Sequence, residues 1–177
     1  MTICIRLSRF QAPQKQGGTK SGFDIVIGNP PYFVLKNDVR FKMEYESNYP
    51  KVKSGRMNIY QVFFGLTGRI TNENGVAAFI HPKTLLSDSY LSATRNYLLS
   101  QFNGITILNI VNRHNVFDNV LQAVIVSIWR KSKQKLYRVA EIQNKNDLAD
   151  TKYIEPIFEQ FVDTENKFHR FWKQSRL

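Results

Sequence analysis

Short apolar runs alternate with segments of helical periodicity along this chain. The apolar runs are rich in β-branched residues and are bounded by Gly, Pro or Asn, which predicts strands buried within a sheet. They lie at 23–28, 76–80, 105–111 and 123–129. Apolar residues at helical spacing predict helices at 58–70 and 89–102, the first ending in an Asn-Glu-Asn-Gly turn at 72–75. Strands that alternate with helices predict a doubly wound α/β sheet with right-handed crossovers.

The last two predicted strands are joined by a short connection. Residues 111 to 123 are too few to hold a full crossover helix. Parallel neighbours need such a crossover, whereas antiparallel neighbours do not. We therefore expect these two strands to be antiparallel to each other.

Polar segments flank the region of regular pattern. Residues 11–22 are Gly-, Gln- and Lys-rich, so we expect 1–22 to be a disordered or linker arm and order to begin near Phe23. The segment 33–55 is charged and weakly periodic, as expected of a functional loop. Pattern weakens again after residue 138. We divide the chain into the arm, a folded α/β part at 23–138, and a tail or stub of a following domain at 139–177, with one further helix expected within 155–173.

The charge balance favours a polyanionic partner. Lys and Arg number 25 and Asp and Glu 14, for a formal net charge of +11, and nucleic acid is the leading candidate. Lys131 and Lys133, in the basic run 130–138, either follow DNA phosphates or form a solvated edge. No apolar stretch approaches spanning length, so no membrane association is expected.

Cysteine and histidine usage exclude some kinds of site. Cys4 is the only cysteine, which excludes an internal disulfide framework and a cysteine-rich metal site and fits a reducing cytoplasm. His81, His114 and His169 are scattered without metal-ligand spacing, so no metal site is predicted.

The candidate chemistry lies at the end of the first predicted strand, in Asn29-Pro30-Pro31-Tyr32. A buried strand that stops on Asn-Pro-Pro places a side-chain amide, a main-chain carbonyl and an aromatic face together at a sheet edge. Proline fixes φ and has no N–H to compete for the carbonyl. These groups can hold a planar amino group, although an isolated Asn-Pro can also do no more than end a strand.

From Phe23 to about Ser132 the sequence resembles the catalytic half of the gamma-class adenine-N6 DNA methyltransferases of restriction-modification systems. The Asn-Pro-Pro-Tyr motif carries most of this resemblance. Asn58-Ile59-Tyr60, before the predicted helix, is similar to the family's segment that lines the cofactor pocket. Val116-Phe117-Asp118-Asn119-Val120, followed by the strand at 123–129, is similar to its late aromatic motif and closing hairpin.

The resemblance implies a Rossmann-like methyltransferase sheet and a specific role for each residue of the site. The motif, Asn29 to Tyr32, is the expected catalytic segment, with Asn29 and Pro30 accepting the two N–H groups of a flipped adenine in double-stranded DNA. Tyr32 and Phe117 are expected to stack on the base. Asn29, Asn58 and Tyr60 are expected to contact the cofactor, S-adenosylmethionine, although ordinary helix packing is the stronger reading for Tyr60.

The resemblance also implies that part of the enzyme is missing. The family's Gly-rich turn and acidic residue for S-adenosylmethionine lie upstream of this motif, and only 22 residues precede Phe23. We therefore expect a partial sheet without its cofactor-binding strands, an unpaired edge on the strand at 23–28, and a fragment that is inactive and binds no cofactor on its own. A companion chain could supply those strands.

Two other interpretations remain open. The chain could be a non-catalytic module that binds nucleic acid or pairs with a companion subunit. It could also be an enzyme of a different specificity, because glutamine-N5 methyltransferases of release factors and some ribosomal RNA guanine-N2 methyltransferases share the tetrapeptide. The basic edge, the long loop and the Phe117 hairpin favour DNA.

Overall fold

The computed structural model describes residues 4–8, 22–35, 47–52, 57–111, 123–156 and 161–162. Six strands of these residues form one sheet in the order β1-β2-β3-β5-β4-β6. β2 is parallel to β3, β4 is parallel to β6, and the remaining neighbours are antiparallel. The strands are β1 (Cys4–Ser8), β2 (Phe23–Asn29), β3 (Thr71–Pro82), β4 (Gly104–Ile110), β5 (Val124–Arg130) and β6 (Leu136–Ile142). The helices are α1 (Ile59–Ile70) and α2 (Ser92–Gln101), the latter preceded by a 3-10 turn at Ser89–Leu91.

The α/β sheet predicted from the pattern is confirmed. β2, β3, β4 and β5 coincide with the four apolar runs, and β4 and β5 are antiparallel neighbours as the short connection between them required. The prediction of a turn at 72–75 is wrong. These residues lie within β3, where the pairing with β2 shifts register between Phe23 and Ile25.

The predicted disordered arm at 1–22 is wrong for residues 4–8. They form β1, which pairs antiparallel with β2 from Cys4 opposite Asn29 to Ser8 opposite Ile25. The β2 edge that was expected to be unpaired is therefore covered. The rest of the arm, apart from Gly22, lies outside the described residues.

The predicted boundary after residue 138 is also wrong. It falls inside β6, which pairs with β4 from Leu136 to Ile142. Ile154 then forms a bridge with Val139, and Phe161 stacks on Tyr137 with ring centroids 5.0 Å apart. Residues after 138 therefore complete the sheet and its core. Most of the helix expected within 155–173 lies outside the described residues.

The main core lies between the sheet and the helix pair. Helix α1 begins with a capping box, in which the Asn58 side chain accepts from the Tyr60 N–H and the Gln61 side chain accepts from the Asn58 N–H. Phe64 of α1 is buried against the rings of Phe79 and Trp129. The helices approach closely at Gly68, where a Cβ would lie 2.2 Å from Tyr97 Oη.

On the opposite face of the sheet, the described residues form a buried cluster at the β4–β6 end. Leu108, Ile110, Ala140 and Ile142 form a small buried cluster on β4 and β6. On β2, by contrast, Ile27 is 48% exposed. Within the described ranges, no helix is long and apolar enough to cross a membrane.

Candidate functional site

The hydrogen-bonding direction of β3 determines which of its carbonyls face β2. Lys131 N donates to Gly75 O at 3.0 Å and Lys83 N donates to Ala123 O at 2.9 Å, so odd-numbered residues of β3 bond to β5. Residues alternate in direction along a strand. The even-numbered residues, including Ile80, therefore direct their N–H and C=O toward β2.

Two prolines interrupt the ladder where β2 leaves the sheet. The last registered pair of β2 and β3 is Gly28 with Phe79. In a parallel ladder of this register, the next donor to the Ile80 carbonyl is the N–H of residue 30, and the next donor to the carbonyl of residue 30 is the N–H of residue 82. Both residues are proline and have no N–H. The ladder thus leaves the carbonyls of Ile80 and Pro30 without donors.

Tyr32 folds back over this gap. Its hydroxyl lies 2.9 Å from Ile80 O and 2.9 Å from Asn29 Oδ1. Pro30 and Pro31 are buried, which fixes the chain path, while the Asn29 side chain is exposed and Tyr32 is half-buried. Burial raises the pKa of Tyr32 to about 12, so its hydroxyl remains a proton donor at neutral pH. The motif therefore forms a compact turn that presents the Asn29 amide to solvent.

A buried aromatic and polar network supports the Tyr32 ring. Tyr60 meets Tyr32 edge-on with centroids 6.4 Å apart, and stacks on His81 at 6.2 Å. His81 Nδ1 lies 3.0 Å from Pro82 O and Nε2 lies 2.7 Å from Ser127 Oγ. Trp129 Nε1 donates to the same Ser127 oxygen at 2.6 Å. These partners select the tautomer with the proton on Nδ1, donating to Pro82 O while Nε2 accepts from Ser127.

The two downstream residues predicted to contact the cofactor are occupied by the fold. The Asn58 amide caps α1. Tyr60 is 2% exposed, and its ring packs against Tyr32, Phe64 and His81. Tyr60 is therefore part of the core, whereas Asn58 is half-buried at the start of α1. The predicted contact of these two residues with the cofactor stays a prediction.

The two lysines predicted to contact DNA have different surroundings. Lys131 Nζ donates to Gly68 O at 2.8 Å and to Thr71 O at 2.7 Å, at the carboxyl end of α1. It also lies 5.8 Å from the Phe102 ring centroid. Lys133 is exposed in the connection between β5 and β6. Lys131 is thus engaged within the fold, whereas Lys133 faces solvent.

Phe117, the predicted second stacking residue, lies outside the described residues. Among the described ones, sequence reasoning missed the part played by Pro82 and the Ile80 carbonyl. In the sequence, His81-Pro82 follows the predicted strand at 76–80 and indicates only where that strand ends. Pro82 also removes the N–H that would bond the Pro30 carbonyl. This second effect depends on the β2–β3 register, which cannot be read from the sequence.

A separate cavity of about 260 Å³ lies against the outer side of the helices. It is lined by residues of 47–52, α1 and α2, and none of them belongs to the motif: Asn48, Tyr49, Lys51, Val52, Gly65, Arg69, Tyr97 and Gln101.

The site can therefore offer two hydrogen-bond acceptors at one sheet edge. The Pro30 carbonyl has lost its ladder donor, and the Asn29 amide is exposed beside it. An aromatic ring, that of Tyr32, adjoins them. This set of groups is suited to a flat ligand that carries an amino group.

Curated relatives were found among restriction-modification methyltransferases. The type II methyltransferase M.AccI of Acinetobacter calcoaceticus is 27% identical over 153 residues, 85% of this chain and 28% of that protein. The type II methyltransferase M.TthHB8I of Thermus thermophilus is 31% identical over 83 residues, 43% of this chain and 19% of that protein. The chain thus spans well under a third of the length of each.

Solved structures share the fold. The DrdV–DNA complex matches with a TM-score of 0.59 at 14% identity, covering 83% of this chain and 18% of that one. The type IIG restriction endonuclease BpuSI also gives a TM-score of 0.59, at 18% identity, covering 77% of this chain and 19% of that one. A family model described as Eco57I restriction-modification methylase matches residues 6–117, more than half of the chain. The predicted resemblance to restriction-modification methyltransferases is confirmed, and the chain belongs to the Eco57I restriction-modification methylase family.

Proposed function

We propose that this chain grips the target adenine in an adenine-N6 DNA methyltransferase, with Asn29 and Pro30 holding the exocyclic amine and Tyr32 stacking on the base. The relatives it matches are named as type II methyltransferases and its family as a restriction-modification methylase, which supports DNA over a protein or ribosomal RNA substrate. The net charge of +11 agrees with a phosphate-bearing partner.

One observation carries the proposal. Extended by two residues, the β2–β3 register makes residue 82 the donor to the Pro30 carbonyl, and because residue 82 is proline that carbonyl has no donor from β3. The exposed Asn29 amide precedes it. Unmet carbonyls at a sheet edge are costly, so a ligand that donates hydrogen bonds there is stabilised.

The chemistry asks for positioning rather than a strong base. The lone pair of adenine N6 is delocalised into the ring, which makes the nitrogen a poor nucleophile. When two oxygens each accept one of its N–H groups, the nitrogen moves toward a tetrahedral geometry and its lone pair is directed at the methyl donor. Preorganised acceptors of this kind lower the barrier without reorganising during the reaction.

Holding the base outside the duplex needs stacking. Flipping a base costs a few kcal/mol, and stacking on one aromatic returns about 1–3 kcal/mol. Stacking on Tyr32 alone therefore roughly offsets the free energy of flipping the base. A second wall, assigned to Phe117 by resemblance, would favour the flipped state.

The methyl group would come from S-adenosylmethionine, whose use the family implies. Tyr60 is buried and offers little surface for a direct contact with it. We propose that a companion chain holds the cofactor, and that this chain supplies the half of the site that binds the base.

The test is adenine modification of host DNA at the intact locus, with wild type compared with Asn29→Ala. Loss of the amide oxygen removes one of the two acceptors, so methylation is expected to fall by at least about 100-fold, the cost of one preorganised donor or acceptor. DNA binding, measured by gel shift, should persist. Asn74→Ala is the matched control, because it removes an exposed amide at the far end of β3.

Retained methylation in the Asn29→Ala variant would remove the proposed role of the amide. Modification of cytosine, or of no base at all by the wild type, would refute the adenine assignment.

A further inference from the structure

The Tyr32 hydroxyl has one proton and two acceptors within reach. Oη lies 2.9 Å from Ile80 O and 2.9 Å from Asn29 Oδ1. A carbonyl oxygen and an amide oxygen both only accept. One proton cannot satisfy both at full strength, so one of the two contacts must be made differently.

The Ile80 carbonyl is the favoured acceptor of the Tyr32 hydroxyl proton. Its ladder donor would be the N–H of residue 30, which proline lacks, and its contact with Tyr32 is part-buried. Leaving a buried acceptor unpaired costs about 1–3 kcal/mol. The Asn29 side chain is exposed, so water can satisfy its oxygen at little cost.

We infer that Tyr32 donates its proton to Ile80 O and that the Asn29 amide is turned so that Nδ2 donates to Tyr32 Oη. The two ends of an amide have nearly the same size, so a half-turn about χ2 occupies the same space. Every partner is then satisfied: Ile80 O accepts, Tyr32 Oη donates once and accepts once, and Asn29 Nδ2 donates. The Asn29 oxygen faces outward.

This inference rests on the proposed function and extends it. An amide presents either an acceptor or a donor to the target amine, and only the acceptor can hold an N–H. Tyr32 is thus a positioning residue for Asn29 through its hydroxyl, in addition to stacking through its ring. Without the hydroxyl, the amide has no partner that selects its orientation.

The orientation can be read directly on the purified chain by NMR. If Nδ2 faces Tyr32, its protons will show strong nuclear Overhauser effects to the Tyr32 Hε protons and slow exchange with water. In Tyr32→Phe the protection will be lost. An amide whose protons exchange freely in the wild type, with no contact to the ring, would overturn the inference. This readout does not require methylation activity.

The functional consequence is tested by a double-mutant cycle in the intact methyltransferase. Tyr32→Phe keeps the ring and removes the hydroxyl, so kcat should fall about twofold, because the two amide orientations become equally populated and only one of them reacts, with KM for DNA unchanged. An aspartate has two equivalent oxygens and nothing to orient. In the Asn29→Asp background, Tyr32→Phe should therefore cause no further loss.

Equal losses in both backgrounds would mean that the hydroxyl only stabilises the fold, and no loss in either would mean that it positions nothing; both results contradict the inference. If the Asn29→Asp variant is inactive, the NMR measurement decides. Absence of adenine methylation in the wild type, by contrast, would refute the proposed function and leave the amide orientation to be judged by NMR alone.

Discussion

At the scale of single residues, the end of β3 combines a proline that lacks an N–H donor with a buried histidine. Pro82 removes one N–H from the ladder, and its carbonyl accepts from His81, which is fully buried against the Tyr60 and Phe64 rings. No charged group contacts the imidazole among the partners that the structure describes. The ring is therefore held neutral, and its neutrality is a condition for the fold beneath Tyr32.

This burial predicts a pH dependence of stability. Desolvation lowers the pKa of His81 to about 4, against 6.5 in the unfolded chain. Above pH 6.5 both states are neutral at this residue and nothing changes. As the pH falls from 6.5 to 4 the unfolded state binds the proton first, so the free energy of unfolding should fall by up to about 3 kcal/mol.

The measurement is urea unfolding at pH 7 and pH 4 for the wild type and His81→Gln. Carboxylates and the other histidines contribute equally to both proteins, so the difference between the two pH dependences isolates His81. The free energy of unfolding of the variant should therefore fall less between pH 7 and pH 4 than that of the wild type, whatever the variant's stability at pH 7. Identical slopes would show that His81 titrates normally in the folded chain.

At the scale of elements, predictability followed the strength of local pattern. β2 and β3 are apolar runs with clear terminators, and α1 has an Asn58 cap with Gln61 three residues later, so each was predicted. β6 was missed because its alternation breaks at Ala140-Glu141, where two successive buried residues are followed by an exposed one. Its place beside β4 comes from tertiary pairing, which local pattern does not encode.

β1 was missed for a related reason. It has five residues, of which Arg6 and Ser8 are polar, as is common for edge strands that avoid pairing with other molecules. The motif itself was recognised from sequence, but the roles of Ile80 and Pro82 were not. They depend on which residue of a distant strand lies opposite Pro30, a matter of register.

Helix α1 offers a prediction that separates the two lysines. Lys131 caps the carboxyl end of α1 through Gly68 O and Thr71 O, where a cation also opposes the negative end of the helix dipole. Lys131→Met should lower the free energy of unfolding by about 1–2 kcal/mol. Lys133→Met, at an exposed position, should leave it within about 0.5 kcal/mol of wild type.

DNA binding should show the opposite order. Lys133→Met is expected to weaken binding and to reduce its salt dependence, since one phosphate contact is lost, while Lys131→Met should bind like the wild type at temperatures where it is folded. Chemical denaturation and salt-dependent fluorescence anisotropy on the same preparations provide the comparison. A Lys131→Met variant of full stability would contradict the capping role.

At the scale of the whole molecule, the two faces of the sheet near β2 differ in how well they are covered. The helix pair covers one face, whereas Ile27 on the opposite face is half-exposed, and β1 alone separates β2 from the edge of the sheet. An uncovered sheet edge beside apolar residues is a template for association. β1 therefore keeps the site-bearing strand from pairing with other molecules.

Deletion of residues 1–22 tests this role of β1. The truncated chain exposes the β2 edge from Ile25 to Asn29, so it should dimerise or aggregate at concentrations where the full chain stays monomeric, as measured by light scattering coupled to size exclusion. Adding Ile27→Lys to the truncation should restore the monomer, because a lysine on an exposed edge opposes strand pairing. Deletion of residues 1–3 alone leaves β1 in place and should change nothing. A truncated chain that remains monomeric without the lysine would show that β1 does not protect this edge.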